Sequence, residues 1–423
     1  MSICVGNGSS GPDPIRTRLV DLLSVGIEAV EPFALVADNV DVQGGGVSIA
    51  GSRLDLDSVG RLVVVAVGKA AEPMARAVRF RLGPTIDTGV VIGPEAVEVP
   101  DGWTSFTGGH PVPTDGSEEG GTAALDLARS LKHDDVLLVL LSGGASALME
   151  VPIDGVSLED IAGITEQLLV SGAPIDQINT VRRRLSLVKG GGLADAARPA
   201  RVFTLVLSDV VGSPVHAIGS GPTVADPTTA GDARGVLEQY GIESVLRLRT
   251  GDSLVSRSEL SVIGDGATVA YAIRNEALGL GMPAHVASVV MEGEASDVAV
   301  ECLELATDGL TIFAGETTVT VTGTGRGGRN QEGALSAAIS IAGQPGVVFA
   351  ALGTDGVDGP TDAAGAIVDG QTTRLGEQLG LEATEYLNRN DAYTYLDAVG
   401  CLLRCGPTGT NVGDIWLVWR DAG

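Results

Sequence analysis

Lysine is nearly absent from this chain of 423 residues. Only Lys69, Lys132 and Lys189 occur, so arginine supplies most of the 27 basic residues, against 54 acidic residues and a formal net charge of −27. A surface of this sign repels phosphate backbones and anionic lipid headgroups, which argues against nucleic acid or a membrane as a partner. An acidic, lysine-poor surface suits a protein that stays dissolved in concentrated salt, where screening weakens self-repulsion. We therefore expect a halophilic source.

Cysteine and long apolar segments are also scarce. The four cysteines are too few and too widely spaced for a disulfide framework, and no histidine near Cys401 and Cys405 would complete a metal site with them. No apolar stretch reaches the roughly 18 residues of a membrane-spanning helix. The segment Met1–Pro14 lacks the basic region and apolar core of a signal peptide. We expect buried thiols and a cytoplasmic protein.

Short, continuous apolar runs are frequent, and each ends at a glycine or serine. Continuous rather than alternating apolarity predicts strands that are buried on both faces, as in parallel α/β sheets. Ligands of such sheets bind beyond the carboxyl ends of the strands, so we expect the chemistry in the residues that follow each run. The clearest runs are Leu62–Val67, Val136–Leu141, Val202–Leu207, Leu260–Ile263 and Val347–Leu352.

The length of the chain exceeds that of one ordinary core, which predicts two or three domains. The polar segment Arg247–Glu259 separates a first α/β block from a second block that we expect to start at Leu260. The predicted domains are residues 1–252 and 253–423. In the first 45 residues, an amphipathic helix over Ile15–Val30 and a short second helix are expected to cover the first sheet.

Two turns of the first block suit anions. The segment Gly68–Ala71 leads into a predicted helix over Glu72–Leu82, so the Lys69 ammonium and the helix N-terminus can act on one anionic group. The turn is not a Walker A loop, because the first glycine and the final serine or threonine are missing. The segment Leu141–Leu148 contains a Gly-Gly turn flanked by serines, which suits phosphate oxygens; a tight structural turn is the alternative. It does not match the nucleophile elbow of serine hydrolases.

Positive charge is concentrated further along the first block. Asn179–Arg184 contains three consecutive arginines, and Lys189–Gly192 follows closely. In an acidic protein this stretch suits an anionic substrate or a phosphate, with a solvated helix face as the alternative. Ser208–Val210 and Gly219–Thr223 then add an acidic side chain and a second glycine-serine loop.

The loop Gly323–Gly328 of the second block follows a predicted strand over Thr317–Thr322. Its glycines satisfy Gly-x-Gly-x-x-Gly between a strand and a helix, which is the fingerprint of dinucleotide binding. Against a dinucleotide, the next strand ends at Asp355, beyond the usual spacing of about 20 residues for the ribose-binding acid. Arg326 and Arg329 also suit the binding of a phosphate or carboxylate.

The loop Gly353–Gly365 carries the carboxylates of Asp355, Asp358 and Asp362. Carboxylates this close repel one another unless a cation is present, and Mg²⁺ takes one or two carboxylates plus phosphate oxygens. A solvated acidic loop is the alternative. Phosphate-type loops, cations and an acidic loop together predict phosphoryl transfer, in which catalysis is mainly positioning and charge neutralisation.

These motifs resemble those of the glycerate 2-kinase family, which has a carboxy-terminal MOFRL domain and is related to proteins once called hydroxypyruvate reductases. The resemblance implies an α/β fold, with an N-terminal Rossmann-like three-layer domain, a smaller C-terminal α/β domain and an active site in the cleft. It implies transfer of the ATP γ-phosphoryl group to the 2-hydroxyl of D-glycerate, with Mg²⁺, to give 2-phosphoglycerate and ADP. The matching strings are Gly68–Ala70, Gly109–Pro113, Leu141–Leu148, Ser208–Val210, Ser220–Thr223, Gly327–Glu332, Gly353–Gly365 and Gly406–Asn411.

The resemblance also implies roles for single residues. Lys69 and Arg329 match the active-site lysine and arginine of the family, and we expect them to neutralise charge on the phosphoryl group and the substrate carboxylate. We expect Asp209 to be catalytic, and Asp355 and Asp358 to bind magnesium. The expected nucleotide-binding residues are Ser142, Gly143, Gly144, Ser146, Ser220, Gly221, Thr223, Gly325, Gly328, Thr408 and Asn411.

Three positions depart from the pattern of the family. Gly192 and Ser213 stand where an arginine and an acidic residue are frequent, and His216 is unusual; these departures concern the substrate more than the reaction class. An NAD(P)H-dependent hydroxypyruvate reductase and a non-catalytic binder of anionic metabolites are the alternative functions. The sequence leaves a monomer and a homo-oligomer open.

Overall fold

The computed structural model describes residues 3–5, 13–212, 214–242 and 247–422, so the departure at Ser213 lies outside the described residues. The strands within these residues are β1 (Cys4–Val5), β2 (Val40–Gln43), β3 (Gly46–Ile49), β4 (Ser52–Asp55), β5 (Leu62–Val67), β6 (Thr88–Gly93), β7 (Trp103–Thr107), β8 (Val136–Leu141), β9 (Arg201–Leu207), β10 (Ser258–Gly264), β11 (Ala284–Glu294), β12 (Gly309–Thr318), β13 (Val347–Gly353), β14 (Gly365–Asp369), β15 (Leu402–Arg404) and β16 (Asp414–Arg420).

The helices are α1 (Pro14–Glu28), α2 (Pro32–Asn39), α3 (Ala71–Leu82), α4 (Asp115–Arg129), α5 (Ala145–Leu148), α6 (Leu158–Val170), α7 (Ile175–Leu185), α8 (Gly192–Ala196), α9 (Ala230–Gln239), α10 (Gly266–Gly279), α11 (Ala295–Leu305), α12 (Arg329–Ser340), α13 (Thr372–Gln378), α14 (Ala383–Asn388) and α15 (Ala392–Ala398). In the described part of the chain, no helix is long and apolar enough to cross a membrane.

The chain forms two compact units. The six-stranded unit comprises residues 32–208 and 213–263, and the seven-stranded unit comprises residues 1–31, 209–212 and 264–423. The strand that starts the predicted second block, at Leu260, is part of β10 and lies beside β9 in the sheet of the six-stranded unit. The division into domains at residues 252 and 253 stays a prediction.

The six-stranded unit contains a sheet in the order β10-β9-β8-β5-β6-β7. The pairings from β9 to β7 are all parallel, and every residue of β5 and β8 is buried. The chain moves outward from β5 in one direction and from β8 in the other, which is the strand order of a Rossmann fold. The expected Rossmann-like domain is confirmed. Ligands of such folds bind where the order reverses, here at the carboxyl ends of β5 and β8.

The seven-stranded unit contains a mixed sheet in the order β1-β15-β14-β13-β16-β12-β11. The pair β11–β12 is parallel and the other pairs are antiparallel, so the expectation of a parallel sheet is wrong here. The continuous apolar run of β13 reflects its burial on both faces. Such burial occurs in parallel and antiparallel strands alike, so the run does not reveal the strand direction. The strand expected over Thr317–Thr322 is β12 and ends at Thr318.

The first helix belongs to the seven-stranded unit. The prediction that it covers the first sheet is therefore wrong, because α1 packs against α10 and β13. A Cβ at Gly26 would lie 2.7 Å from Ile273 Cδ1, so a larger residue here would force the side chains of α10 to shift. Arg16 donates hydrogen bonds to Asp369 at 2.5 Å and to the Ile367 carbonyl at 2.9 Å. An amphipathic pattern identifies the face of a helix that is buried, but not the partner that buries it.

The cysteines are free thiols. Cys302 and Cys401 are buried as expected, whereas Cys4 is exposed and Cys405 is partly exposed. Burial raises the pKa of the Cys302 thiol to about 12, which makes this thiol a packing group rather than a nucleophile.

Candidate active site

The turns after β5 and β8 pack directly against each other in the six-stranded unit. Gly68 has φ +127°, and a Cβ there would overlap the hydroxyl of Ser142. The backbone N–H of Lys69 donates to the Gly143 carbonyl at 2.9 Å, and the N–H of Ala70 donates to Ser142 Oγ at 3.0 Å. The Lys69 side chain is exposed. The structure therefore brings the predicted lysine to the predicted Gly-Gly turn and leaves its side chain exposed.

The second glycine-serine loop meets the same turn. The hydroxyls of Ser146 and Ser220 are 2.8 Å apart, and Ser220 donates to Asn179 Oδ1 at 3.2 Å. Gly221 adopts the left-handed φ of +65° beside them. Thr223 is separate from this group, because its hydroxyl is fully buried and pairs with the Thr204 hydroxyl at 2.8 Å.

Most of the positive charge between residues 182 and 189 is neutralised inside the protein. Arg183 and Arg184 are buried and reach the two carboxylate oxygens of Asp226 at 2.8 and 3.1 Å. Lys189 is also buried and pairs with the carboxylate of Glu150. The alternative of a solvated helix face is therefore wrong for these arginines, and they hold loops together instead of facing an anion.

Arg182 and His110 lie beside the turn after β8. Arg182 Nη2 donates to the Ser146 carbonyl at 3.0 Å. The His110 ring faces Gly144, where a Cβ would be 3.0 Å from His110 Cδ2. Burial, followed by the positive charges of Lys69 and Arg182, lowers the pKa of His110, so its ring is neutral at pH 7.

Arg329 is the centre of an ion-pair network in the seven-stranded unit. Its Nε donates to Asp414 Oδ2 at 2.6 Å, and its Nη1 lies 2.8 Å from Glu316 Oε1. Asn330 donates to the other oxygen of Asp414 at 2.9 Å. Burial raises the pKa of Glu316, as do the negative charges of Asp414 and Asp209. The predicted Arg329 and Asp209 thus share one acidic surrounding.

Asp358 caps the N-terminus of α12. Its Oδ1 accepts from the N–H of Asn330 at 3.1 Å, and its Oδ2 accepts from the N–H of Gln331 at 2.8 Å. The carboxylate is 2% exposed, and desolvation raises its pKa to about 6. Because both oxygens serve the helix N-terminus, this acid fits magnesium binding less well than Asp355 does.

Asp355 is half-buried and lies against the segment Gly406–Asn411. Its Oδ1 accepts from the N–H of Val357 at 3.1 Å, and its carbonyl accepts from the N–H of Thr408 at 3.1 Å. The Thr408 hydroxyl donates to a backbone carbonyl at 2.7 Å, and Asn411 Oδ1 accepts from the N–H of Gly413 at 3.2 Å. Among the described residues, no three His, Cys, Asp or Glu side chains are arranged to hold a metal. Asp355 fits a magnesium ion that takes its other ligands from water and phosphate.

The glycines of the Gly-x-Gly-x-x-Gly loop are explained by packing within the chain. A Cβ at Gly323 would overlap the backbone of Arg389, and one at Gly325 would overlap Asp391. A Cβ at Gly328 would overlap Asp358. The match to the dinucleotide fingerprint is thus accounted for without a dinucleotide.

Comparison with known proteins places the chain in a family. Residues 18–250 match a domain of unknown function, DUF4147, and residues 283–414 match the MOFRL family. The chain is 41% identical to a D-glycerate 2-kinase of Thermotoga maritima, over 96% of this chain and 98% of that protein. The chain belongs to the glycerate 2-kinase family. A glycerate 2-kinase of Pyrococcus horikoshii is 38% identical over 95% of this chain and 96% of its own length.

The fold of this glycerate 2-kinase family member matches a solved structure. The crystal structure of a glycerate kinase from Thermotoga maritima superposes with a TM-score of 0.87, at 39% identity, and covers 97% of this chain and 100% of that chain. The expected family and its two-domain α/β fold are therefore confirmed.

Several residues of these sites carried no signal in the sequence. Asp414 and Glu150 are single acids at the start of β16 and after α5, and an acidic chain offers many such positions. Glu316 lies near the end of β12 and is equally inconspicuous. Only their contacts with Arg329 and Lys189 identify them.

Proposed function

We propose that this chain is an ATP-dependent D-glycerate 2-kinase. It transfers the γ-phosphoryl group of ATP to the 2-hydroxyl of D-glycerate and releases 2-phosphoglycerate and ADP. The observation that carries this proposal is the 41% identity to a D-glycerate 2-kinase over 96% of the chain. The turns after β5 and β8 support it, because phosphoryl transfer needs cations and oriented backbone N–H groups at a phosphate.

The six-stranded unit supplies groups for the nucleotide in this proposal. The turn from Ser142 to Ser146 offers N–H groups and hydroxyls to phosphate oxygens, and Ser220 and Gly221 extend it. Lys69 is exposed and makes no ion pair with the described carboxylates, so its charge is available to the transferring phosphoryl group. Thr223 serves the fold through its bond to Thr204.

The resemblance assigns the remaining roles to residues that lie in the seven-stranded unit. The 2-hydroxyl oxygen attacks phosphorus while the bond to the ADP oxygen breaks, and the hydroxyl proton passes to a carboxylate, for which Asp209 is our candidate. Arg329 keeps a guanidinium edge in a partly exposed position and neutralises negative charge. A bound Mg²⁺ would neutralise charge on the phosphate oxygens, and Asp355 would be its protein ligand. Gly325, Gly328, Thr408 and Asn411 hold their loops in shape and are assigned to the nucleotide by resemblance alone.

The proposal is tested by identifying the product. Purified protein in concentrated KCl is incubated with D-glycerate, ATP and Mg²⁺, and ³¹P NMR distinguishes 2-phosphoglycerate from the 3-isomer. We expect 2-phosphoglycerate, and a loss of about 10²- to 10³-fold in kcat for Lys69→Ala.

The chain offers a matched control for this variant. Lys132 is exposed and lies in the same unit, so Lys132→Ala should retain full activity. Equal losses in the two variants would remove Lys69 from the reaction. Consumption of NADH with hydroxypyruvate, without phosphoryl transfer, would replace the kinase with a reductase.

The setting of the protein is proposed from its charge alone. With a net charge of −27, we propose a cytoplasm of high salt concentration.

A further inference from the structure

Two cationic side chains, Lys69 and Arg182, and the neutral His110 ring meet at the turn Gly143–Ser146. Lys69 is joined to the Gly143 carbonyl through its backbone N–H at 2.9 Å, and the His110 ring lies against Gly144. Arg182 Nη2 donates to the Ser146 carbonyl at 3.0 Å. The positive charges of Lys69 and Arg182 contribute to the lowered pKa of His110, after its burial. In a chain with twice as many acids as bases, such a cluster is unexpected unless an anion joins it.

Arg182 differs from the two arginines that follow it. Arg183 and Arg184 both reach Asp226, whereas Arg182 makes no ion pair with any described carboxylate. Its Nε is buried and has no hydrogen-bond partner among the described residues. A buried donor of a charged group that stays unpaired is costly, so a ligand that accepts a hydrogen bond from it would be bound favourably.

The nearest compensating charge is already engaged. Glu150 acts on Arg182 electrostatically, but it is fully buried and its carboxylate pairs with Lys189. The single carboxylate of Glu150 therefore lies near two buried cations, Arg182 and Lys189, and can neutralise only one of the two positive charges. Burial lowers the pKa of Arg182, the direction expected for a cation that lacks a full counter-charge.

We propose that Arg182 binds an oxyanion at the Gly143–Ser146 turn, against which Lys69 and the His110 ring also lie. The oxyanion is either the carboxylate of the hydroxy-acid substrate or a phosphate of the nucleotide. A guanidinium edge suits both, since it presents paired N–H donors. The identity of the two candidate ligands rests on the proposed kinase function. The family resemblance assigns no binding role to Arg182, so this role is new.

The test measures binding without turnover. Wild type, Arg182→Gln and Arg198→Gln are titrated calorimetrically with D-glycerate and, separately, with AMP-PNP and Mg²⁺, a nucleotide that does not transfer its phosphate. Arg198 is a matched control because it lies in the same unit, on the surface, paired with Asp195 at 3.3 Å. We expect Arg182→Gln to weaken one ligand by about 10- to 100-fold and the other by less than about twofold. Arg198→Gln should bind both as wild type does.

The outcomes separate the two sources of the oxyanion. Selective loss of D-glycerate assigns Arg182 to the carboxylate, and selective loss of AMP-PNP assigns it to a phosphate. Unchanged affinity for both, or an equal loss of both with a lower melting temperature, overturns the proposal. If wild type binds these ligands but transfers no phosphate, the kinase function fails while the Arg182 result still stands.

A second variant covers a failure to fold. If Arg182→Gln is not obtained as a folded protein, Arg182→Lys is titrated in its place. This variant keeps the charge but loses the paired N–H edge, so we expect a selective loss of about 10-fold. Wild-type affinity for both ligands in Arg182→Lys would overturn the proposal.

Discussion

Arg329 and Asp414 are joined by a hydrogen bond of 2.6 Å between Nε and Oδ2, and Asp414 is fully buried while Arg329 keeps 32% of its side chain exposed. One guanidinium, that of Arg329, therefore makes two different ionic contacts. Its Nε compensates a buried carboxylate, and its Nη1 extends towards the more exposed Glu316 at 2.8 Å. The structural function and the proposed catalytic function can be separated by changing Asp414 as well.

Arg329→Gln should lower the free energy of unfolding by about 2 kcal/mol, because it leaves the Asp414 charge buried without its cation. The cost is below that of a fully buried pair, since Arg329 is partly exposed. The double variant Arg329→Gln/Asp414→Asn should recover most of this stability and none of the phosphoryl transfer. Urea unfolding and the ³¹P assay measure the two effects. Recovery of activity in the double variant would show that Arg329 acts only on the fold.

The pair between Glu150 and Lys189 gives a second prediction. Both side chains are buried, so Glu150→Leu or Lys189→Met alone should lower the free energy of unfolding by about 3–5 kcal/mol. The double variant should lie within about 1–2 kcal/mol of wild type, because an apolar pair of similar size removes both desolvation costs. Denaturant titrations of wild type, the two single variants and the double variant form a double-mutant cycle. Additive losses in the double variant would contradict a direct interaction.

Gly68 and Gly163 form a matched pair of glycines in the six-stranded unit. Gly68→Ala should cost about 3 kcal/mol and most of the activity, because φ is +127° and the new Cβ would overlap Ser142. Gly163 lies inside α6 with no neighbouring atom within 4 Å of a built Cβ. Gly163→Ala should therefore raise the free energy of unfolding by about 0.5–1 kcal/mol. The melting temperatures of the two variants should move in opposite directions, and a neutral Gly68→Ala would argue against this turn geometry.

Asp358 predicts a pH dependence of stability. Its pKa in the folded protein is about 6, above the value of 3.8 for an unperturbed aspartate. The folded state thus binds this proton more tightly than the unfolded state, and the contribution to stability increases as pH falls from 7 towards 4. Between pH 7 and pH 5 this contribution should rise by about 1 kcal/mol.

The variant Asp358→Asn isolates this effect from the other titrating groups. It should be less stable than wild type at pH 7, because an amide cannot accept from both N–H groups at the start of α12. The difference in the free energy of unfolding between wild type and Asp358→Asn should be about 1 kcal/mol larger at pH 5 than at pH 7. Urea unfolding at the two pH values measures it. A constant gap would mean that Asp358 does not titrate in this range.

The excess of acidic residues predicts stabilisation by salt. Raising KCl from about 0.2 M to about 2 M should raise the melting temperature, because the Debye length falls to about 3 Å at 1 M and self-repulsion of the −27 charge is screened. Each kcal/mol of stabilisation corresponds to about 2–4 °C for a unit of this size. A parallel series in sucrose controls for solvent exclusion. Equal effects of sucrose and KCl would remove the argument for a halophilic protein.

The sequence predicts the buried strands of the first sheet well. Leu62–Val67 and Val136–Leu141 are β5 and β8 with the same bounds, since both are covered on two faces and show unbroken apolar runs. The meeting of Lys69 with the Gly143 turn follows from the rule that parallel strands end at one edge. Strand direction in the second sheet is not encoded in this way, because burial on both faces produces the same apolar run in parallel and antiparallel strands.

The candidate site is predictable only where a motif surrounds the residue. An aspartate such as Asp358 looks the same in the sequence whether it caps a helix, binds a metal or faces solvent. Asp358 caps α12 because the fold brings the start of that helix to its carboxylate, although the two are far apart in the sequence. Arg182 is likewise indistinguishable from Arg183 in a run of three arginines, and only the position of Asp226 separates them.

The packing of α1 has a consequence for how the protein is made. The strands of the six-stranded unit emerge from the ribosome in one nearly continuous stretch, so this unit can fold during synthesis. Helix α1 leaves the ribosome first, yet α10 and β13, against which it packs, are translated only after that unit. Its apolar face therefore stays uncovered by these partners until α10 (Gly266–Gly279) has been translated. A gene fragment that encodes only the second half of the chain would yield a polypeptide without α1, the helix that packs against its α10 and β13.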